Sequence, residues 1–201
     1  MPGHRTKPEH GEQTRGVILG VARRAFAERG YAGTALEDVC AAAGVTRGAL
    51  YHHYAGKAAL FSAVCEELAA EVAATVAASA AAEPDPWRQL DAGVTAFLRA
   101  CSDPVVARVL LSDGPSVLGW RAFRELDGRH GLGLLQAVLT RALPASEPVK
   151  TWSHLLAGVL GEAALLIADA PDPAAAFTDA ERAVRRLVRS LPGADRELPQ
   201  E

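Results

Sequence analysis

The sequence predicts an all-α fold, a three-helix head followed by a six-helix body. Three observations carry this. Apolar residues recur three and four positions apart along most of the 201 residues, and no stretch alternates as a strand would. Asp-Pro dipeptides at 85–86, 103–104 and 172–173 each join a capping aspartate to a proline suited to the first helical position. Two short helical patterns flank a glycine turn between Gly33 and Lys57.

Taken in order, the expected helices are 14–29, 34–43, 46–53, 57–82, 86–101, 104–111, 118–142, 148–169 and 173–190. The first places Val17, Ile18, Val21, Ala22, Ala25 and Phe26 inward. Thr34 followed by Glu37 reads as a capping box for the second, whose inward face is Leu36, Val39, Cys40 and Ala43. Gly44 suits a left-handed stop, and Val45 can plug the turn. Thr46 is a good N-cap for the third helix, in which Ala49 and Leu50 face inward. Thr46, Arg47, Tyr51, His52 and His53 are left on or near the outer side. A short helix tipped with such residues, braced by a second behind it, suits the major groove of double-stranded DNA.

The segment resembles the DNA-binding domain of the TetR family of bacterial transcriptional repressors. The resemblance spans residues 14–65. It rests on three helices, both glycine turns and the Leu-Tyr-His-His-Tyr-x-x-Lys ending at Lys57, where the family's long linking helix begins. It implies a helix-turn-helix head at 14–58 and an effector-binding and dimerisation body at 59–191, with tails at 1–13 and 192–201. It implies a homodimer reading a pseudo-palindromic operator and released by a small-molecule effector, the alternative being a DNA-binding regulator that is constitutive or controlled by a protein partner.

Within the head, Arg47 can pair with a guanine edge or hold a phosphate. Tyr51, His52, His53 and Lys57 suit phosphates. The missing side chain at Gly48 would let the helix approach DNA closely. Thr34, at a helix start, would offer backbone N–H groups to a phosphate. Tyr54 reads better as packing.

Two features of the body bear on function. Helix 148–169 is apolar nearly all round, so every side of it calls for burial. With the stripe on 173–190, it predicts a subunit contact through Leu156, Val159, Leu160, Ala163, Ile167, Val184, Leu187 and Val188. By resemblance these helices form a four-helix interface. Helix 118–142 aligns Trp120, Phe123, Asp127 and His130, yet carries Gly128, Gly131 and Gly133, each costing about 1 kcal/mol against alanine. Such a helix kinks or leaves room beside it. In the family, helices at these places surround an effector pocket. The expected lining is Trp120, Phe123, Asp127, His130, Trp152 and Glu162. The Ala-rich run 69–82 is low in complexity, and Leu68, Val72 and Val76 keep it helical.

Net charge is −3, at first sight unfavourable for a nucleic-acid binder. Its distribution is not: residues 1–57 carry +3 and the remainder −6. Cys40, Cys65 and Cys101 are too few and scattered for a disulfide framework or zinc site, and fit a reducing cytoplasm. Adjacent His52 and His53 point about 100° apart on a helix and chelate poorly. No metal, cofactor or catalytic constellation is expected. Met1 to Gln13 is polar and does not read as a signal peptide. The apolar run Leu155–Ala168 is interrupted by Glu162 and is too short to span a bilayer, so no membrane partner is expected.

Overall fold

The computed structural model describes residues 7–194, and among these it is all helical. α1 (Lys7–Gly33) buries Ile18, Val21, Ala22, Ala25 and Phe26. Val17 is 45% exposed, against expectation, and Leu19 packs on the core instead. α1 begins seven residues earlier than predicted, so 7–13 is no tail. That stretch is polar and carries no periodic signal. Residues 1–6 and 195–201 of the expected tails lie outside the described residues.

Gly30, at φ +69°, breaks α1 where the sequence predicted its end. Only glycine adopts that backbone without cost, and a Cβ there would also collide with the Arg108 guanidinium. α2 (Leu36–Ala43) and α3 (Arg47–His53) follow, joined by Gly44 at φ +66°. Thr46 caps α3, its hydroxyl accepting the Ala49 amide at 3.2 Å. The capping box at Thr34 does not form. Ala35 is the N-cap and gives no side-chain bond. Thr34 is buried, and its hydroxyl donates to the Ala25 and Gly30 carbonyls at 3.0 and 2.9 Å. These carbonyls, at the end of α1, take the hydroxyl that a cap would have used.

α4 (Lys57–Ala81) is a strut 25 residues long, packed on α1 at one end and on α5 (Pro86–Cys101) along its length. Each Asp-Pro start is realised: Asp85, Asp103 and Asp172 accept backbone amides of α5, α6 (Pro104–Val106) and α11 (Pro173–Arg189). Between α6 and α7 (Gly114–Leu118) runs a π-helical segment, Ala107–Asp113. The predicted single helix 118–142 is interrupted. Gly119 at φ +79° precedes α8 (Trp120–Asp127), a π-helical segment Gly128–Leu132 comes next, and α9 (Gly133–Ala142) completes it. The glycines thus mark a wide turn, the feature π-bulges commonly supply at functional sites.

α10 is Val149–Ala168. At 20 residues it is long and apolar enough to cross a membrane, longer than the run judged from the sequence. It packs instead on α5, α9 and α11. Its buried face holds Leu156, Leu160, Ala163, Ala164 and Ile167. Leu156, Leu160, Ala163 and Ile167, with Val184 and Val188 of α11, were expected at a subunit contact, but they fill the protomer's own core. Periodicity could not choose between two apolar faces of one helix. Val159 is half-buried. The outward apolar side chains are Leu155, Leu166 and Leu187, each more than half exposed.

Two cores result. One joins α1, α2 and the start of α4 to Val106, Val109, Leu110 and Leu126, so head and body share it. The other gathers Trp87, Leu90, Leu139, Leu160 and Val188 in the body.

Candidate nucleic-acid interface and body cavity

α3 is held by Leu50, which is fully buried, and by the Thr46 cap. Its other side is open: Thr46, Arg47, Gly48, Tyr51 and His52 are exposed. The Arg47 guanidinium lies 2.9 Å from Glu37, 3.4 Å from the Tyr51 hydroxyl and 5.5 Å from the Tyr51 ring centre. The Tyr51 contact, then Glu37, raises the Arg47 pKa further above its ordinary value, so the cation is fixed at every physiological pH. The Arg47 side chain is nonetheless 64% exposed, so these surface contacts leave the guanidinium available to a partner.

Gly48 is helical and open. A Cβ there would meet nothing nearer than the Thr46 hydroxyl at 3.9 Å, so nothing within the chain calls for glycine. His52 and His53 stack edge to face at 5.3 Å. No group of three or more potential metal ligands occurs among the described residues. Lys57 opens α4. Its ammonium donates to the Ala32 carbonyl at 3.3 Å and sits 4.5 Å from the Tyr31 ring centre. It fastens the turn before α2 as well as presenting a charge. Tyr54 is buried, its hydroxyl donating to the Arg15 carbonyl, as its packing role required. Burial raises its pKa. Thr34 has no spare donor for a phosphate: its amide donates to the Tyr31 carbonyl and its hydroxyl to those of Ala25 and Gly30.

The body holds a cavity of about 800 Å³, open to solvent on one side, between α4, α5, α8, α9 and α10. Trp120, Phe123, Asp127, His130 and Glu162 all line it, as the sequence suggested. Trp120 is 70% exposed and belongs to the rim, with the Arg124 guanidinium 5.7 Å over its ring. Trp152 does not reach the cavity. It packs against the second core, and its indole N–H donates to Glu147 at 2.9 Å. A tryptophan on an apolar helix gave no clue to which neighbour it would meet.

His130 is already partnered, its Nε2 lying 2.6 Å from Glu66 of α4, which Arg129 also grips at 2.6 Å. The Arg129 bond, and after it His130, hold the Glu66 carboxyl below its ordinary range against the opposing pull of burial. Burial instead pushes the Asp127 carboxyl up, offset in part by Arg124 at 3.7 Å and by His154. Sequence reasoning missed the α4 wall, where Ala69, Ala73, Ala77 and Ala80 alternate with Val72 and Val76. The signal was present as small residues repeating every three to four positions. It also missed Phe97, Arg124 and Arg141.

Cavity and head share a segment. Leu110 and Leu111 of the π-helical stretch line the cavity, and Phe123 packs against Gly114 just beyond it. The same stretch ends at Asp113, whose carboxylate accepts the Tyr31 amide in the head at 2.7 Å.

Comparison with known proteins gives consistent matches. A family profile described as "Bacterial regulatory proteins, tetR family" matches residues 18–64, and one described as "Tetracyclin repressor-like, C-terminal domain" matches residues 87–191. A crystal structure of a TetR-family transcriptional regulator from Pectobacterium atrosepticum is 33% identical. It covers 94% of this chain and 98% of that one at a TM-score of 0.78. RolR in complex with resorcinol shares the fold at 20% identity and a TM-score of 0.66, over 96% and 99% of the two chains. The HTH-type transcriptional regulator TtgR of Pseudomonas putida is 48% identical over 64 residues, 32% of this chain. That match spans 30% of TtgR's own length.

Proposed function

Since the chain belongs to the TetR family and is a DNA-binding regulator of the helix-turn-helix type, we propose that it works as a homodimeric, ligand-released repressor on a pseudo-palindromic operator. The carrying observation is that a single π-helical segment, Ala107–Asp113, both walls the cavity and holds the turn that orients α2 and α3. In this reading Arg47 reads a base edge, and Thr46, Tyr51, His52, His53 and Lys57 position the backbone. Gly48 permits close approach, and Thr34 braces the turn from inside.

The two heads are joined by Leu155, Leu166 and Leu187, the apolar side chains that α10 and α11 leave outside the protomer. An effector in the cavity favours a spacing of the heads that no longer fits successive major grooves. It does so only by binding that state more tightly. A protein of this fold crystallised with resorcinol supports a small-molecule occupant. The protein would act in the cytoplasm, where its DNA is.

A genome-wide binding map in the organism of origin tests the reading. It should return a few sites with two-fold sequence symmetry, which the purified protein then binds as a dimer. Sites without symmetry, or binding as a monomer, would sink it.

A further inference from the structure

The polar groups of the cavity wall can be accounted for one by one. Arg141 donates to the Gln89 side chain at 2.5 Å. His130 is bonded to Glu66 at 2.6 Å. Arg124 bonds His154 at 3.2 Å and lies over the Trp120 ring. Three polar lining groups have no hydrogen bond among the described residues: the Trp120 indole N–H at the exposed rim, and the carboxylates of Asp127 and Glu162, the acceptors of the set. Asp127's nearest cation, Arg124, stands at 3.7 Å, beyond hydrogen-bond length. Glu162 is exposed where α10 borders the opening.

Room is kept for the Asp127 carboxylate. A Cβ on Gly131 would come within 3.2 Å of its Oδ1, and Gly131 also lines the cavity. The glycine in the π-helical segment therefore leaves the carboxylate unobstructed from that side. The rest of the wall is largely aliphatic and aromatic, from Val72, Val76, Phe97 and Phe123 among others. Beside such a surface the Asp127 carboxylate, 36% exposed, keeps only part of its hydration, and this partial burial raises its pKa. A donor or cation brought by a ligand would relieve that cost. An anionic ligand would add to it.

We infer that the cavity selects a mostly apolar molecule carrying a cationic or hydrogen-bond-donating group, with Asp127 as its acceptor in the wall and Glu162 as a second acceptor at the rim. At about 800 Å³ the space suits a drug-sized molecule. The inference rests on the proposed role of the cavity as the effector site, and deepens it by naming the ligand class.

The test uses the full chain and three probes of equal length: dodecylamine, dodecanol and dodecanoate. Calorimetric titration should show dodecylamine binding at least about tenfold more tightly than dodecanoate, the size of one charge-assisted hydrogen bond. Asp127→Asn should abolish most of that preference while leaving dodecanol affinity within about twofold. Glu162→Gln should reduce it by less. Melting curves establish that each variant is folded.

Tighter or equal binding of dodecanoate overturns the inference, as does failure of all three probes to bind. Persistence of the amine preference in a double Asp127→Asn, Glu162→Gln variant also overturns it, because general attraction to an acidic surface would then suffice. Operator affinity, read separately, keeps the two ideas apart. Asp127-dependent amine binding that leaves DNA bound supports the ligand class and defeats ligand release. Release by dodecanoate does the reverse.

Discussion

The Tyr31 backbone amide donates to the Asp113 carboxylate at 2.7 Å across 82 residues of sequence, and in this bond the head is tied to the body. Arg108 secures the same carboxylate at 3.6 Å and lies against Gly30. Hydrogen bonds to charged groups contribute about 1.5–3 kcal/mol. Asp113→Ala should therefore speed amide exchange at Tyr31 by roughly ten- to a hundredfold. Amides of α10 should be unchanged. Uniform acceleration over the whole chain would mean that Asp113 holds the global fold and not this joint.

Gly48→Ala separates the needs of the fold from those of DNA. Open space surrounds the position, and a helical glycine costs up to about 1 kcal/mol against alanine. The melting temperature should rise or stay level while operator affinity falls. An unchanged operator affinity would remove close approach as the reason for glycine.

Arg47→Ala should cost about 1–3 kcal/mol and relax preference at one base pair. Glu37→Gln, which frees the guanidinium from its 2.9 Å partner, should tighten binding to all sequences by removing a negative charge near phosphate. Lys57→Ala should weaken all sequences alike and flatten the salt dependence by about one counterion per subunit. Equal losses on operator and random DNA for Arg47→Ala would demote it to a phosphate contact.

What could be read from the sequence was local. Gly30, Gly44 and the Thr46 cap declare themselves because each acts within four residues of itself, and the three Asp-Pro starts do so for the same reason. Phe123, Asp127 and His130 were legible because helical spacing aligns them and the family resemblance places a pocket beside that helix. The α4 wall was not, since alanine signals a cavity only by what it fails to fill. Nor was the direction of α10: a helix apolar all round does not reveal which leucines turn to the core. Thr34 shows the same limit. Its cap was the right local chemistry, but carbonyls nine and four residues earlier claimed the hydroxyl.

The outward leucines make the subunit contact testable without damaging the protomer. Leu166→Arg or Leu187→Arg places a charge on a side chain already more than half exposed. The variants should keep their melting behaviour as dilute monomers and sediment as monomers at micromolar concentration. Leu160→Ala, by contrast, empties a buried site and should cost about 2–5 kcal/mol of protomer stability. If both leucine-to-arginine variants remain dimeric, the interface lies elsewhere.

Two carboxylates near the cavity should give opposite pH signatures. Burial raises the Asp127 pKa, so its contribution to stability is complete below the ordinary carboxylate range and is lost as pH rises through the raised value. Asp127→Asn removes that loss, and should melt above the parent at pH 7, with the difference vanishing below about pH 4, where the parent carboxyl is protonated in both states. Glu66 is lowered, chiefly by Arg129, so its contribution is present above the ordinary range and lost as pH falls through the lowered value. Glu66→Gln should melt below the parent at pH 7, and its deficit should close on acidification. The Glu66 effect should be small, since its side chain is 42% exposed and surface ion pairs contribute about 0–1 kcal/mol. Melting curves of both variants between pH 3 and 8 decide the matter. An Asp127→Asn variant less stable than the parent at neutral pH would mean that the carboxylate is held by Arg124 as a structural ion pair, and not kept unsatisfied for a ligand.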